Sequence, residues 1–412
     1  MPDFGRFDFG KTGQKEEAFL TFSSTGSVEH ELYRPDHGRY KNGRSNNYFP
    51  RNNFKAGDYS GSNGLGAYSA RPLTRIFENW IGQDMAMDLG TANTLIYIRG
   101  RGIVLNEPSV VAIREDDGRP IAVGRVAKEM YGKTARQIRC VRPLKDGVIA
   151  DFETTHLMVK DFITRASKRW QLRRPRLIVS IPSGVTAVEK RAVIDAAMSA
   201  GARQIHLIEE PMAASIGSGM PVLECGGNMI VDIGGGTTEV AVISMGGTAY
   251  SESVRIAGDE MDEAIEKFVR RAFNLQIGIF EAERIKLNIG SAMPMSESRE
   301  MLVYGRDLAT GVPRELLVDD STVRRALKEP VSAIIDAVRR ALERTGPELA
   351  HDIIKKGIYL AGGGSLLAGL PERLSLETNI RFLRAADPLT AIVRGTGAVL
   401  ENYKELKCVL IS

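Results

Sequence analysis

Apolar positions recur along this chain with two different periods, and the opening stretch has neither. Residues 1–70 hold only four branched aliphatic residues, Leu20, Val28, Leu32 and Leu65, among Gly, Asn, Ser, Arg and aromatics. Such a segment cannot bury enough surface to offset its ordering entropy, so it is expected to be a disordered extension. Its aromatics (Phe4, Phe7, Phe9, Tyr40, Tyr48, Phe49) leave room for an interaction tail. Leu73, Ile76, Phe77, Trp80 and Ile81 then follow a spacing of i, i+3, i+4, i+7, i+8. That spacing predicts one amphipathic helix over 71–83, with Pro72 in its first turn and Gly82 as its stop.

From Asp84 onward the pattern predicts an α/β chain. Met85–Asp88, Leu95–Ile98, Ile103–Leu105 and Val110–Ile113 read as strands joined by Gly turns. A helix at 157–168, a short buried strand at 177–181, a helix at 187–200 closed by Gly201 and a strand at 205–208 follow. Strands at 229–233 and 239–244 make a second glycine-joined hairpin. Helices are expected at 259–273, 282–287, 321–327 and 330–344, then a strand at 357–360 and a helix at 366–374.

One pattern occurs twice. Met87-Asp88-Leu89-Gly90-Thr91 and Val231-Asp232-Ile233-Gly234-Gly235 each run from a strand through Asp, an apolar residue and Gly into a tight turn. A duplicated lobe with its two hairpins facing across a cleft explains this spacing. A turn of Gly and small residues exposes consecutive backbone N–H groups, which can wrap a phosphate chain. The first turn offers Thr91, Ala92 and Asn93, the second Gly234, Gly235, Gly236 and Thr237. Asp88 and Asp232 would then lie near the phosphates, where a water-bearing Mg²⁺ makes two acids tolerable. For either Asp alone the alternative is a turn cap.

Glu209-Glu210-Pro211 ends a strand and opens a helix. A carboxylate there can orient a water for in-line attack on a terminal phosphate, and Glu210, which abuts the proline, takes that role. The alternative is a charge answering the helix dipole. Gly362-Gly363-Gly364-Ser365 is a third glycine turn, where a flat base can lie against backbone. Glu283-Arg284-Ile285-Lys286 lies on a helix, with Glu283 and Lys286 on one face, placed to hold a ribose or to form a plain surface ion pair.

Bulk properties narrow the class. The 412 residues suit two lobes, and 55 basic against 51 acidic residues create no strong field for a nucleic-acid partner. Cys140, Cys225 and Cys408 lie far apart with no CxxC, which argues against disulfides or zinc and fits a reducing compartment. No apolar run reaches the roughly 18 residues of a spanning helix, and no secretory signal is expected.

Several segments together carry a family resemblance. Asp88-Leu-Gly-Thr-Ala-Asn-Thr-Leu-Ile-Tyr, Asn106-Glu-Pro-Ser-Val-Val-Ala-Ile, Arg142-Pro-Leu-Lys-Asp-Gly-Val-Ile-Ala-Asp-Phe and Glu209-Glu-Pro-Met-Ala-Ala are four of them. Val231-Asp-Ile-Gly-Gly-Gly-Thr-Thr-Glu-Val-Ala-Val, Gly258-Asp-Glu-Met-Asp and Ala361-Gly-Gly-Gly-Ser-Leu-Leu complete the set. From about Asp84 to the C-terminus the chain resembles the MreB family of bacterial actins; residues 1–70 have no counterpart in that pattern. The resemblance implies the α/β actin/Hsp70-like (ribonuclease H-like) ATPase fold, with two lobes around a nucleotide cleft. It implies lobe I over 84–224 with subdomain IB near 112–144, lobe II over 225–391 with subdomain IIB near 261–324, and a return to subdomain IA over 392–412. It further implies ATP-dependent polymerisation into membrane-bound double protofilaments and partnership with cell-wall elongation proteins. By the same resemblance Glu210 is catalytic, Thr91, Ala92, Asn93 and Gly234–Gly236 contact phosphate, and Glu283–Lys286 and Gly362–Ser365 contact the nucleoside.

Sugar kinases and Hsp70 chaperones share the cleft, but no acceptor-sugar base and no peptide-binding domain is read in this chain. Plasmid-segregating and magnetosome-aligning actins are nearer alternatives. The membrane is expected at two places: the Leu73, Ile76, Phe77, Trp80, Ile81 stripe, and Trp170 with Leu172 inside the Arg169-Trp-Gln-Leu-Arg-Arg turn. An exposed Trp beside Arg suits the headgroup level of an anionic bilayer. The alternative is that the stripe packs on its own lobe and Trp170 covers a strand.

Overall fold

The computed structural model describes residues 84–167 and 174–411. The expected extension 1–70, the 71–83 helix and the turn carrying Trp170 and Leu172 lie outside them.

Two five-stranded sheets share one plan. The first runs, edge to edge, Gln204–Glu209, Arg176–Ile181, Met85–Leu89, Asn93–Ile98, Gly102–Pro108. The second runs Phe382–Arg384, Ile358–Ala361, Asn228–Ile233, Thr238–Ser244, Gly247–Val254. In each, three antiparallel strands form a meander, and two parallel strands are added beyond the meander's first strand. The repeat seen in the Asp-X-Gly turns thus extends to the whole sheet. Met85–Leu89 and Asn228–Ile233 are central and buried along their whole length, which is why they read as near-continuous apolar runs. Asp88 and Asp232 are the acids in those runs, each one residue from the strand end.

A helix follows the outermost parallel strand of each sheet: Glu210–Gly217 directly, Ala391–Glu401 after a short 3₁₀ turn. These two helices cross between the sheets. Ala86 and Ile178 from one sheet, Ile230 and Ala361 from the other, and Ala213 and Val399 from the helices form a shared core. The crossing is backbone to backbone. A Cβ on Gly395 would overlap the Ala213 carbonyl oxygen, and one on Gly217 the Ala391 carbonyl oxygen.

The outer faces are covered separately. Met158, Phe162 and Ala197 of helices Phe152–Ala166 and Ala187–Ser199 pack on the first sheet. Met261, Ile265, Ile334 and Val338 of helices Gly258–Phe273 and Lys328–Glu343 pack on the second. Each lobe also carries a small three-stranded sheet. One is Pro120–Val123, Val111–Arg114, Ile138–Val141 with helix Arg125–Met130; the other is Leu275–Gln276, Glu300–Asp307, Pro313–Asp319 with helix Ile279–Ile289. At the C-terminus the Ile411 N–H donates to the Leu207 carbonyl at 2.8 Å, on the edge strand of the first sheet.

Some elements differ from the periodicity reading. The helix expected from 157 begins at Phe152, because the Asp151 carboxylate caps it by accepting from the Thr154 N–H at 3.0 Å. The helix expected over 366–374 is a 3₁₀ turn, Gly363–Leu366, followed by Leu370–Thr378. Gly369 separates them with φ 70°, a left-handed conformation that suits glycine. Among the described residues no helix is long and apolar enough to cross a membrane.

Candidate functional site

The two repeated turns meet. A Cβ on Gly235 would stand 2.8 Å from the Ala92 Cβ, and one on Gly236 3.1 Å from the Thr91 Cγ2. Glycine at 235 and 236 is therefore what lets one lobe's turn rest against the other's. Ala92 and Asn93 are exposed and Gly235 is half-exposed, so these backbones are open to a ligand, whereas the Gly234 N–H closes its own turn by donating to the Thr237 carbonyl at 2.9 Å. Thr91 and Thr237 are buried. The Thr91 hydroxyl accepts from the Gly147 N–H at 3.0 Å, which makes its side chain a brace. The first turn is also held by Ser109, whose hydroxyl donates to the Gly90 carbonyl at 2.7 Å. The second is held by a helix start: the Asp259 N–H donates to the Gly235 carbonyl at 2.7 Å.

Behind the turns lies a dry cluster of acids. Asp88 accepts from the Ser180 hydroxyl at 3.0 Å. Burial nevertheless pushes its pKa up to about 6. Asp232 is pushed up to about 8, first by burial and then by Asp88 and Glu239. Glu210 is the first residue of its helix, with Pro211 second. It is 7% exposed, and none of the described residues hydrogen-bonds its carboxylate. Burial, then Glu239, Asp88 and Asp232, raise its pKa well above the usual range. Glu209 turns elsewhere, accepting from the Thr248 hydroxyl at 2.9 Å.

Glu239 was not read as a site residue from sequence. It faces Asp232 in the strand register, accepts from the Ser183 N–H of the other lobe at 3.0 Å, and has its pKa raised to about 7 by burial. The available signal was a lone acid opening the run Glu239-Val-Ala-Val. That signal was weak, because strand ends carry such residues routinely.

The acid cluster fits a hydrated divalent cation. Asp232 Oδ1 is buried with no hydrogen-bond partner, the mark of an oxygen that awaits one. Paired carboxylates with an unsatisfied oxygen are the donor set that Mg²⁺ takes, partly through water, and Asp88 and Asp232 would hold it. The same cluster predicts a pH dependence. Each folded-state pKa is raised above its unfolded value near 4, so the native state binds protons more tightly. Stability from the cluster is complete below about pH 4 and is lost as pH rises through about 6, 7 and 8. The melting temperature without divalent ions should therefore fall between about pH 5.5 and 8.5, and magnesium should restore more of it at the higher pH. A melting curve that stays flat over that window with no magnesium would show that these acids are not coupled as described.

The nucleoside candidates divide. Lys286 Nζ contacts the Gly258 carbonyl and Asp262, both at 2.8 Å, beside the second turn. Glu283 pairs with Lys128 of the other lobe at 2.8 Å. Lys128 also sits 5.0 Å over the Phe280 ring, and Tyr131 meets Phe280 edge-on at 5.0 Å. Together these form a clasp across the mouth of the cleft. Residues 284 and 285 leave that face, as a turn of 100° per residue requires. Arg284 ties Glu281 to the Leu302 carbonyl, and Ile285 is fully buried in the lobe II core. Gly362 and Gly364 press against the end of the Asp232-bearing strand, where a Cβ would overlap Ile233. Ser365 is buried and donates to the Gly362 carbonyl at 2.7 Å. Gly363 stays open. Leu389 lies over it, 3.2 Å from where a Cβ would be, and Leu366 and Leu389 are exposed at 45% and 54%. Two exposed leucines beside bare backbone make a surface for a flat apolar ring, which glycine spacing alone did not reveal. Arg142 adds a second tether between the lobes, donating to both oxygens of Asp259 at 2.7 and 3.0 Å.

Known proteins are similar to this chain. The cell shape-determining protein MreB of Escherichia coli K12 is 53% identical over 334 residues, covering 80% of this chain and 96% of that protein. The cell shape-determining protein Mbl of Bacillus subtilis 168 is 44% identical over 324 residues, covering 79% and 97%. The crystal structure of MreB5 of Spiroplasma citri bound to AMPPNP superimposes with a TM-score of 0.76 at 37% identity, covering 79% of this chain and 97% of that one. A family model described as MreB/Mbl protein matches residues 82–408. The chain belongs to the MreB/Mbl family.

Proposed function

We propose that this chain is an ATP-dependent actin-like protein that polymerises into filaments on the inner face of the cytoplasmic membrane and directs cell shape with cell-wall elongation proteins. The observation that carries the reading is the meeting of the two glycine turns, Ala92 against Gly235, in front of Glu210, Asp88 and Asp232. Backbone N–H groups of Ala92, Asn93 and Gly235 hold the phosphates. Lys286 adds a positive charge beside the second turn, and Gly363 with Leu366 and Leu389 takes the adenine. Asp88 and Asp232 would hold a magnesium ion, partly through water, and such an ion would supply charge neutralisation for the phosphates. Glu210 orients the attacking water, and the dry surroundings strengthen its hold on it. The AMPPNP in the Spiroplasma citri relative supports an adenine nucleotide as the ligand.

Membrane contact through 73–81 and through Trp170 with Leu172 draws support from the residues that flank them. The first segment leads into Asp84 and the second into Arg176, and these two form an ion pair at 2.7 Å. Both segments therefore attach to the same end of one sheet. Partial insertion of a few large apolar side chains gives one subunit only modest affinity, at most about 1.5–3 kcal/mol each. A filament multiplies such contacts.

The test images purified protein with ATP on an anionic lipid monolayer by electron microscopy. Membrane-attached filaments are expected, and a protein that hydrolyses ATP but never assembles would overturn the reading. A variant lacking 73–81 with Trp170→Ser and Leu172→Ser should still assemble yet fail to float with liposomes. If it floats as wild type does, the anchor lies elsewhere.

A further inference from the structure

A recess of about 250 Å³ opens in lobe II, away from the cleft and sharing none of its residues. Arg324, Arg325, Lys328 and Arg373 line it together with the hydroxyl-bearing Ser291 and Ser332, and no carboxylate does. Sequence reading missed it, because its cations come from three helices, two of them consecutive and the third about forty residues further on.

The charges are only half compensated. Arg324 is paired with Asp320 at 2.8 Å and Arg373 with Glu377 at 2.9 Å. Arg325 and Lys328 have no carboxylate within ion-pair reach among the described residues. Arg325 instead donates to the Thr322 hydroxyl at 3.2 Å and stacks over Phe268 at 5.6 Å. The Nε of Arg373 is buried with no hydrogen-bond partner. Arg324 donates to the Ser291 hydroxyl at 3.4 Å, which leaves the Ser291 proton free to be given. Gathering four cations in one hollow is unfavourable unless an anion joins them, and a buried N–H without an acceptor adds to that cost. Guanidinium forks match the oxygens of phosphate in particular.

We infer that this recess is a binding site for a phosphate group, carried either by a soluble phosphate ester or by an anionic lipid head. Arg325 and Lys328 supply the new contacts, and Leu327 and Val331 in the lining give the ligand's apolar part a surface.

The test titrates the full chain with inorganic phosphate against chloride at matched ionic strength, reading the melting temperature, with AMPPNP and magnesium present throughout. Phosphate should raise the melting temperature saturably, and Arg325→Ser with Lys328→Ser should weaken its apparent affinity at least tenfold. Both side chains are exposed, so without phosphate the variant should remain folded and melt within a few degrees of wild type, relief of the crowded charge opposing loss of the Arg325 contacts to Thr322 and Phe268. Ser332→Asp, which places a carboxylate in the recess, should abolish the effect by the opposite route. Flotation with phosphatidylglycerol vesicles, compared with phosphatidylcholine vesicles, separates the two sources. Flotation lost in the double variant assigns a lipid head; flotation retained while phosphate binding is lost assigns a soluble ester. Equal phosphate affinity in wild type and both variants would overturn the site. That result is independent of whether the cleft takes AMPPNP, because the comparison is between variants that differ only in the recess.

Discussion

Gly395→Ala should cost the protein far more stability than any surface glycine substitution. Helices Glu210–Gly217 and Ala391–Glu401 touch through their backbones, and a methyl group on residue 395 would occupy the place of the Ala213 carbonyl oxygen. Overpacking costs about 1–3 kcal/mol when side chains can yield. Here the obstacle is the backbone of a helix that also holds Met212, Ala213 and Ala214 in the core between the sheets. The cost should reach at least about 3 kcal/mol, lowering the melting temperature by roughly 5 °C or more in a chain of this size. Gly278→Ala is the control. Its φ is −86° and a Cβ there meets nothing, so only the poorer N-cap preference of Ala counts and the loss should stay below about 1 kcal/mol. Equal melting of the 395 variant and wild type in a calorimeter would mean the helices do not cross so closely.

Glu210→Ala should lower the rate of ATP hydrolysis by about 10²-fold or more and leave nucleotide binding nearly intact. The phosphate contacts come from backbone N–H groups of the turns, which the substitution does not touch. What it removes is a buried carboxylate that no described residue hydrogen-bonds and that faces Asp88 and Asp232. Glu209→Ala is the informative partner. That carboxylate accepts from Thr248, so its loss should change hydrolysis little. Phosphate release at wild-type rate from the 210 variant, or an equal loss from both, would remove Glu210 from the reaction. A titration with a fluorescent nucleotide should give dissociation constants within about threefold of each other.

The sequence revealed the parts of this site that are local and hid those that arise from folding. Two Asp-X-Gly turns at the ends of buried strands are read directly, because glycine and a lone acid in an apolar run both have few alternatives. Helices with a clean apolar stripe, such as Gly258–Phe273 and Lys328–Glu343, were found nearly to their ends. The Gly247–Val254 strand was missed: its outer-edge position gives Gly-Thr-Ala-Tyr-Ser-Glu-Ser-Val, with no strong apolar alternation. Helix Ala391–Glu401 was missed for the opposite reason. Gly395 and Gly397 lower its intrinsic propensity by about 1 kcal/mol each, yet the crossing with Glu210–Gly217 needs the bare backbone at 395, and the Tyr97 ring crowds 397. Tertiary packing overrode local preference there. Glu239, Lys128 and Arg142 matter through partners in the other lobe, and no one-dimensional spacing records such a pairing.

The clasp of Lys128 and Tyr131 with Glu283 and Phe280 bears on how the two lobes part. It bridges the small sheets' helices of the two lobes, so the lobes separate there only after those side chains part. The ion pair is about one-third exposed on each side, 36% and 32%, and an exposed pair is weakened by dissolved salt. The ring contact is apolar and responds to salt in the opposite sense or hardly at all. Closure of the two lobes is thereby tied to the ionic strength of the surrounding medium, through a contact more than a hundred residues long in sequence and one side chain wide in space.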